Sequence, residues 1–251
     1  EVKVFRAKYL IGADGANSIV RNSLNIKQDD LGFGESFAVI DYKPKNPLIL
    51  SDLPEAYQIC DPLRPTTVIK RLGTEHIRFE FMVLPHEDAS TFFEEEKVQT
   101  LIGTWLSPDD GEIIRKTMYK FSSLLANTWM KNNIFLIGDA AHLTPPFMGQ
   151  GMCSGIRDAK NLAWKLDLVL KGVCDASLFS SYQIERYPHS ETLIQMAVEL
   201  GKVICVPSIE EAEKRDEQFI EGKVPPMPPM PGLVEGILYR DEDGQLKENS
   251  G

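Results

Sequence analysis

The sequence predicts a mixed α/β protein in which a strand–loop–helix unit, of the kind that binds cofactors, is interrupted by an antiparallel sheet. Two observations support this fold class. The apolar residues 134–137 indicate a buried strand that stops at Gly138-Asp139 and leads through a loop rich in proline and glycine into a helix. Before them, residues 32–126 alternate in the manner of antiparallel strands. This order is typical of a cofactor domain with an inserted substrate domain.

The first predicted elements are short. Two paired strands are predicted at residues 2–5 and 8–11, and they lead into a turn at Asp14-Gly15. A helix is predicted over residues 16–24. Its buried side is predicted to consist of three apolar residues, namely Ile19, Val20 and Leu24.

The middle of the chain is predicted to be mainly antiparallel sheet. Its predicted strands are residues 36–40, 55–60, 66–71 and 76–83. In the last of these, one face is apolar and consists of Ile77, Phe79, Phe81 and Val83. A helix is predicted over residues 92–106, and residues 108–111 are predicted to turn after it.

After the Gly138-Asp139 loop, two long helices are predicted. The first has apolar residues spaced three and four apart from Ile156 to Leu170 and ends at Gly172. The second covers residues 177–204, with an interruption or kink at Pro188. The predicted domain boundaries are 1–31 and 127–206 for the cofactor domain, 32–126 for the substrate sheet and 207–251 for an extended C-terminal segment.

Bulk properties exclude several classes of function. The 251 residues are 43% hydrophobic and 25% charged, as in an ordinary globular protein. A net charge of −10 argues against a nucleic-acid partner, and the apolar runs are too short for a membrane span. Four cysteines without metal-ligand spacing and four scattered histidines predict no metal site. Reduced thiols and a cytoplasmic location are expected.

Two motifs carry a family resemblance. Residues 133–165, with a Gly-Asp pair, Ala-Ala-His, prolines and a Gly-rich helix start, resemble the second flavin fingerprint of the aromatic-ring hydroxylases, the single-component FAD monooxygenases. Residues 9–24 resemble the Asp-Gly signature of that family. The hydroxyphenylpropionate hydroxylase subgroup is similar in further segments, namely GQGMCSGIRDAKNLAWKL, CDPLRP, RFEFMVLP and SYQIERYPH.

This resemblance implies a function. The expected reaction is hydroxylation of a phenolic aromatic acid, in the catabolism of aromatic compounds, with FAD as cofactor and NADH or NADPH as transient electron donor. Dioxygen would react through a flavin C4a-hydroperoxide. The expected partners are therefore a small aromatic substrate and dioxygen, and a homodimer is considered as the assembly.

The resemblance also implies roles for individual residues. Asp139 is expected to hydrogen-bond the ribityl or ribose hydroxyls of FAD, and the 149–151 turn is expected to approach the isoalloxazine ring. Arg21 is expected to hold the nicotinamide donor or the loop, although a structural Asp14–Arg21 clamp is an alternative. The cofactor-binding residues implied in this way are Asp14, Gly15, Arg21, Gly138, Asp139, Pro146, Gly149, Gln150, Gly151, Met152 and Cys153.

Other positions leave alternatives open. Cys153 departs from the family, in which many members have an Asn whose amide can meet the flavin, and a thiol is a weaker donor and acceptor. His142 is expected to be a hydrogen-bonded structural residue rather than a general base. The candidate substrate residues are Arg64, Arg78, Tyr119 and Phe121, with solvated strand faces or core packing as the alternative.

A strand–G-x-G-x-x-G–helix unit is absent from residues 1–251. We therefore expect the dinucleotide-binding unit to be supplied by a missing N-terminal segment of the same protein. One alternative is a catalytically incomplete fragment or a partner-binding module, for which the proline-rich residues 223–232 offer a hint. The other is a different flavoprotein oxidoreductase, such as a halogenase, dehydrogenase or epoxidase.

Overall fold

The computed structural model describes residues 2–51, 53, 55–70, 75–224 and 226–238. Residue 71, at the end of one predicted strand, and residues 239–251 of the predicted C-terminal segment lie outside these ranges. The elements, in chain order, are β1 (Leu10–Gly12), α1 (Ile19–Ser23), β2 (Gln28–Pro44), β3 (Ala56–Ile59), β4 (Thr66–Lys70), β5 (Ile77–Met82), α2 (Glu95–Gly103), β6 (Gly111–Ala126), β7 (Met130–Lys131), β8 (Ile134–Leu136), β9 (His142–Leu143), α3 (Gly151–Leu170), α4 (Ser180–Ile204) and α5 (Ile209–Ile220).

Two compact units divide the chain. The first unit comprises Glu1–Phe33, Ser122–Glu199 and Met227–Gly251, and the second comprises Gly34–Phe121 and Leu200–Pro226. The predicted domain boundaries at residues 31 and 126 lie near two of these limits. The division into a cofactor domain and a substrate domain stays a prediction.

The first unit contains a small sheet with the strand order β1-β8-β7. Strand β1 is parallel to β8, with Leu10 opposite Ile134 and Gly12 opposite Leu136. The prediction of two paired strands at residues 2–5 and 8–11 is therefore wrong, because β1 pairs with a strand that is distant in sequence, and residues 2–7 have no regular structure.

Helix α4 fixes the end of β8. The hydroxyl of Tyr182 donates to the carbonyl oxygen of Leu136 at 2.8 Å, and the Tyr182 side chain is fully buried. Phe135, on the same strand, packs against Phe179 with ring centroids 4.9 Å apart. These contacts hold the strand whose carboxyl end carries the Gly138-Asp139 pair.

The buried side of α1 differs from the prediction. Ile19 is 76% exposed, whereas Arg21 is 5% exposed and Ser18 is fully buried. The helix has only five residues, so its contacts are set by hydrogen bonds at its ends rather than by an apolar stripe. The Arg21 guanidinium takes the interior position because backbone carbonyls there accept its hydrogen bonds.

The second unit contains the antiparallel sheet that the alternating pattern predicts. Its strands are ordered β3-β4-β5-β2-β6, and Phe79 on β5 lies opposite Ile40 on β2 and Val68 on β4. The predicted apolar face of β5 is confirmed, since it belongs to a buried core. That core consists of Ala38, Ile40, Tyr42, Leu50, Val68, Ile77, Phe79, Phe81, Val83, Phe92, Val98, Ile102 and Leu106.

Strand β6 was not predicted. Residues 112–116 of this strand are all exposed, so the apolar and polar alternation that marks a half-buried strand is missing there. At its far end, in the first unit, Leu124 pairs with Leu143 and Leu125 with His142 on β9.

The long helices agree with the prediction, but the C-terminal region does not. Helix α3 ends before Gly172, which has φ +70°, and Pro188 lies inside α4. Residues 207–251 were predicted to be extended, which is wrong for α5. Ser208 caps α5 by accepting from the Glu211 N–H at 3.4 Å, and acidic residues in the first turn match the helix dipole.

Among the described helices, no single one is long and apolar enough to cross a membrane, although the pair Ala176–Ile204 and Ile209–Ile220, taken together despite its bend, meets that test of length and composition.

Candidate functional site

The two motifs meet at one edge of the first unit's sheet. Because β1 and β8 are parallel and in register, the segments that follow them leave from the same edge. Asp14 and Gly138 each lie two residues beyond the paired Gly12 and Leu136, and the Ile137 N–H donates to the Gly12 carbonyl oxygen at 3.0 Å. Carboxyl ends of parallel strands are where open α/β sheets bind ligands.

Asp14 organises the first motif. Its carboxylate accepts from the Ser18 hydroxyl at 2.5 Å and from the Val20 N–H at 3.0 Å. The Ser18 hydrogen bond is the main reason that the pKa of Asp14 is lowered. Gly15 has φ +80°, a left-handed conformation that favours glycine. This carboxylate therefore shapes the turn before α1.

Arg21 connects the two motifs. Its guanidinium donates from Nη1 to the carbonyl oxygen of Ala140 at 2.9 Å and from Nη2 to that of Ala16 at 2.7 Å. No direct Asp14–Arg21 ion pair is found within the described ranges. Of the roles considered for Arg21, the observed contacts correspond to holding the loop that follows Asp139.

Asp139 differs from the other carboxylates of the first unit's motifs. It lies in a short 3-10 helix, Gly138–Ala140, at the carboxyl end of β8, and its side chain is exposed. In the described part of the chain, its carboxylate makes no hydrogen bond or ion pair. An acceptor-only group at this position is suited to the hydroxyls of a ligand.

Asp158, on α3, is fully buried and contacts the loop that follows β8. Its Oδ2 accepts from the Gly138 N–H at 3.0 Å and lies 2.8 Å from His142 Nε2, while its Oδ1 accepts from Arg186 Nε at 2.9 Å. The Gly138-Asp139 pair is thus fixed by a buried ionic network.

His142 is a structural residue in this network. It is 1% exposed, and its ring is stacked on Trp129 with centroids 5.2 Å apart. The structural role predicted for His142 is confirmed by these contacts, since the ring faces the protein interior.

Glycines allow α3 to approach the loop. Gly138 has φ +57°, and a Cβ added at Gly155 would lie 3.2 Å from the Gly138 Cα. Gly149 has φ +63° and ends a second 3-10 helix, Pro146–Met148, whose Phe147 meets Phe33 edge to face at 5.3 Å. Pro146 is the first residue of that short helix, so the loop enters α3 by a defined path.

The N-terminus of α3 has no side-chain cap. Gln150 occupies the cap position but accepts instead from the Arg157 guanidinium at 3.2 and 3.3 Å. A Cβ at Gly151 would have nothing within 4 Å, Met152 is 76% exposed and the Cys153 thiol is free and partly buried. The first-turn N–H groups of a 20-residue helix are therefore available to an anionic or electron-rich ligand.

Comparison with known proteins identifies the family. The sequence profile of a family described as "FAD binding domain" matches residues 1–197.

The chain belongs to the FAD-binding domain family.

Curated relatives agree with this assignment. The chain is 38% identical over 242 residues to a protein of Rhodococcus jostii (strain RHA1) named probable NADH-specific resorcinol 4-hydroxylase. It is 36% identical over 256 residues to the 3-(3-hydroxy-phenyl)propionate/3-hydroxycinnamic acid hydroxylase of Klebsiella pneumoniae subsp. pneumoniae. These alignments cover 95% and 98% of the chain but 45% of each relative. The chain thus spans less than half the length of these relatives.

Solved structures are similar as well. A complex of aklavinone-11 hydroxylase with FAD and aklavinone is 27% identical, with a TM-score of 0.71 over 81% of this chain and 39% of that one. The p-nitrophenol 4-monooxygenase of Pseudomonas putida DLL-E4 has a TM-score of 0.74 over 86% of this chain and 55% of that one. At 20% identity, the latter supports the fold alone.

The residues at this edge fit an FAD cofactor. The exposed Asp139 carboxylate offers acceptors for the ribityl or ribose hydroxyls, and the uncapped start of α3 offers N–H donors for the carbonyl and nitrogen edge of the flavin ring. Gly149 and Gly151 leave space for a close approach. In the described ranges, no group of three or more His, Cys, Asp or Glu side chains could hold a metal ion.

The two arginines predicted to bind substrate already have carboxylate partners. Arg64 donates through both Nη atoms to Glu87 at 2.6 and 2.7 Å, and Arg78 donates to Asp41 at 2.7 and 3.0 Å. Both forks are engaged in a bidentate manner with carboxylates of the protein, and a substrate contact by Arg64 or Arg78 stays a prediction.

The predicted aromatic residues lie on one face of β6. Tyr119 is 50% exposed, and Phe121 stacks on Phe37 with centroids 4.7 Å apart. Tyr119 and Phe121 stay predictions for the substrate contact.

Sequence reasoning missed the residues that hold the loop. Asp158 and Arg186 are buried charged groups, and a charged residue on a helix usually indicates a solvated face. The available signal was the Arg157-Asp158 pair so soon after the glycine-rich helix start, which resembled the family without revealing a role.

Proposed function

We propose that the protein carrying this chain is an FAD-dependent monooxygenase that hydroxylates a phenolic aromatic compound with NADH or NADPH and dioxygen. The observation that carries the proposal is the register of β1 and β8, which places the Asp-Gly and Gly-Asp motifs side by side. The names of the relatives, a resorcinol hydroxylase and a hydroxyphenylpropionate hydroxylase, support a phenol as substrate.

Each part of the site has a proposed role. When bound, FAD would supply the redox chemistry: it would accept a hydride from the nicotinamide, and one oxygen atom of dioxygen would go to the substrate ring while the other leaves as water. The Asp139 carboxylate orients FAD by accepting hydrogen bonds from the ribityl or ribose hydroxyls of the cofactor. The N–H groups at the start of α3 stabilise negative charge on the flavin ring, since the positive end of the helix dipole lies there. Pro146 and the adjoining loop exclude water from the ring.

Oxygen transfer tests this function. The intact protein, supplied with FAD and NADH, should consume dioxygen in the presence of resorcinol or 3-(3-hydroxyphenyl)propionate and give a product with one added oxygen atom. With ¹⁸O₂, mass spectrometry should find that atom labelled. Benzoate, which lacks the phenol, is the control substrate, and NADPH is compared with NADH. Hydrogen peroxide as the sole oxygen product with every phenol would contradict the proposal.

Several finer expectations stay part of the proposal. These are a homodimer, a cytoplasmic location and a dinucleotide-binding unit supplied by another segment of the same protein. The mass of the purified protein in solution, measured by light scattering, tests the first of them.

A further inference from the structure

A cavity of about 390 Å³ lies in the first unit, lined by α3, α4 and residues 231–233. Its volume is in the range of sites that bind small molecules. Its lining includes Arg157, Lys160 and Trp164 on α3, His189 on α4, and residues 231–233. None of them is among the residues to which FAD contacts are assigned.

Two cations of the cavity lack a neutralising carboxylate. Arg157 contacts only the Gln150 amide oxygen, at 3.2 and 3.3 Å, and Lys160 makes no hydrogen bond or ion pair within the described ranges. Arg186 also lines the cavity, but Asp158 holds it. The cavity therefore has an excess of positive charge, which favours an anionic ligand.

His189 provides a buried, unpartnered nitrogen atom. Its side chain is 8% exposed, and its Nδ1 has no partner among the described residues. Burial, followed by Arg186 and Arg157, lowers the pKa of His189 to about 4. At neutral pH the ring is therefore uncharged, and its unpartnered Nδ1 can hydrogen-bond a ligand hydroxyl as acceptor or donor.

The cavity wall is held in place by a buried carboxylate. Glu185 accepts from the Ile237 N–H at 2.9 Å, and Glu185 is itself paired with the fully buried Lys165 at 2.6 Å. Gly236, with φ +101°, lies so close to Glu185 that a Cβ would overlap its side chain. Residues 231–237 are therefore docked on α4 by specific contacts, and the cavity is a formed one.

We propose that this cavity binds a small aromatic carboxylate that carries a hydroxyl group. The carboxylate pairs with the Arg157 fork and with Lys160, the hydroxyl hydrogen-bonds His189 Nδ1, and the ring lies along Trp164, which is 40% exposed. Because Arg157 also holds the cap residue Gln150, occupancy of the cavity is linked to the start of α3.

Carboxylate is favoured over phosphate by the donors present. Residues 157–164 lie in the middle of α3, where the backbone N–H groups are used within the helix, and Pro231 has none. Among its described lining residues, the cavity therefore has no helix N-terminus of the kind that binds phosphate.

Equilibrium dialysis of 3-(3-hydroxyphenyl)propionate against the intact protein tests this inference, with and without FAD. Trp164 fluorescence reports the cavity, whereas the visible flavin spectrum reports ligand near the cofactor. Arg157→Gln should weaken the fluorescence-detected binding by at least about tenfold, as for the loss of a charged hydrogen bond. Arg157→Lys, which keeps the charge without the fork, should recover part of it. Trp164→Phe should abolish the signal.

Matched controls complete the experiment. Lys171→Gln removes an exposed cation from the end of the same helix and should leave binding unchanged. 3-Phenylpropionate, which lacks the hydroxyl, should bind about 3–10-fold more weakly. Equal binding by Arg157→Gln and the parent protein would overturn the inference. Tighter binding of AMP, an aromatic compound that carries a phosphate, than of the hydroxy acid would also overturn it. Because neither readout needs turnover, failure of the hydroxylase proposal would leave this test intact.

Discussion

At the residue scale, the site depends on which carboxylates are paired and which is not. Asp139 could be predicted from sequence because an acidic residue directly after an apolar strand is placed at the ligand-binding edge of a sheet. Asp158 could not, because its three partners, Gly138, His142 and Arg186, come together only in the folded chain. A buried charge with such partners is costly to disturb but leaves little pattern in the sequence.

Asp158→Ala should lower the free energy of unfolding by about 3–5 kcal/mol, since it leaves Arg186 buried without a counter-charge. Asp158→Asn should lower the free energy of unfolding by less than Asp158→Ala does. Asp167→Asn is the matched control, because Asp167 lies on the same helix and pairs with Lys171 but is exposed, so its effect should stay below about 0.5 kcal/mol. Urea unfolding measures each value, and similar losses for Asp158→Ala and Asp167→Asn would refute the role of Asp158.

At the element scale, the sheet of the second unit was predictable because its strands alternate, whereas β6 and α5 were not. Strand β6 is exposed on both faces over residues 112–116, and α5 follows a proline and precedes a proline-rich run that suggested an extended chain. The connection between β5 and α2 also depends on a feature that no pattern shows. Glu87 accepts from Arg64, from Lys97 at 2.8 Å and from the Leu84 N–H at 2.8 Å.

This arrangement predicts a pH-dependent stability. Burial alone would raise the pKa of Glu87, but the hydrogen bonds from Arg64, Lys97 and Leu84 outweigh it and lower the pKa from 4.5 to about 2. A carboxylate with a depressed pKa in the folded state stabilises the protein fully above its unfolded pKa. That stabilisation, about 3 kcal/mol for this 9%-exposed side chain, is lost as the pH falls from about 4.5 to 2.

Glu87→Gln should therefore lower the free energy of unfolding at pH 7, and its difference from the parent protein should shrink below pH 4. Denaturant unfolding at pH 7, 5, 4 and 3 measures this difference. Glu112→Gln, at an exposed position on β6 of the same unit, serves as the control and should show little effect at any pH. If Glu87→Gln lowers the free energy of unfolding by the same amount at pH 7 and pH 3, the Glu87 carboxylate is not the source of the pH-dependent stability.

At the scale of the whole molecule, two motifs more than a hundred residues apart form one edge. The motifs themselves were identified from sequence, and so was the sheet inserted between them. Their meeting rests on the β1–β8 register and on the Arg21–Ala140 hydrogen bond, which are tertiary contacts that sequence patterns do not encode. We propose that this edge, with the unpaired Asp139 carboxylate, holds FAD.

The most direct test of that claim is an FAD titration of the intact protein, followed by flavin fluorescence and the visible spectrum. Asp139→Ala should weaken FAD binding by about 1–3 kcal/mol, as for the loss of a hydrogen bond to a charged group. Asp109→Ala is the matched control, since Asp109 is also exposed and is also the second residue of a 3-10 helix, and it should bind FAD like the parent protein. Equal FAD affinity in all three proteins would contradict the account and remove Asp139 from the site.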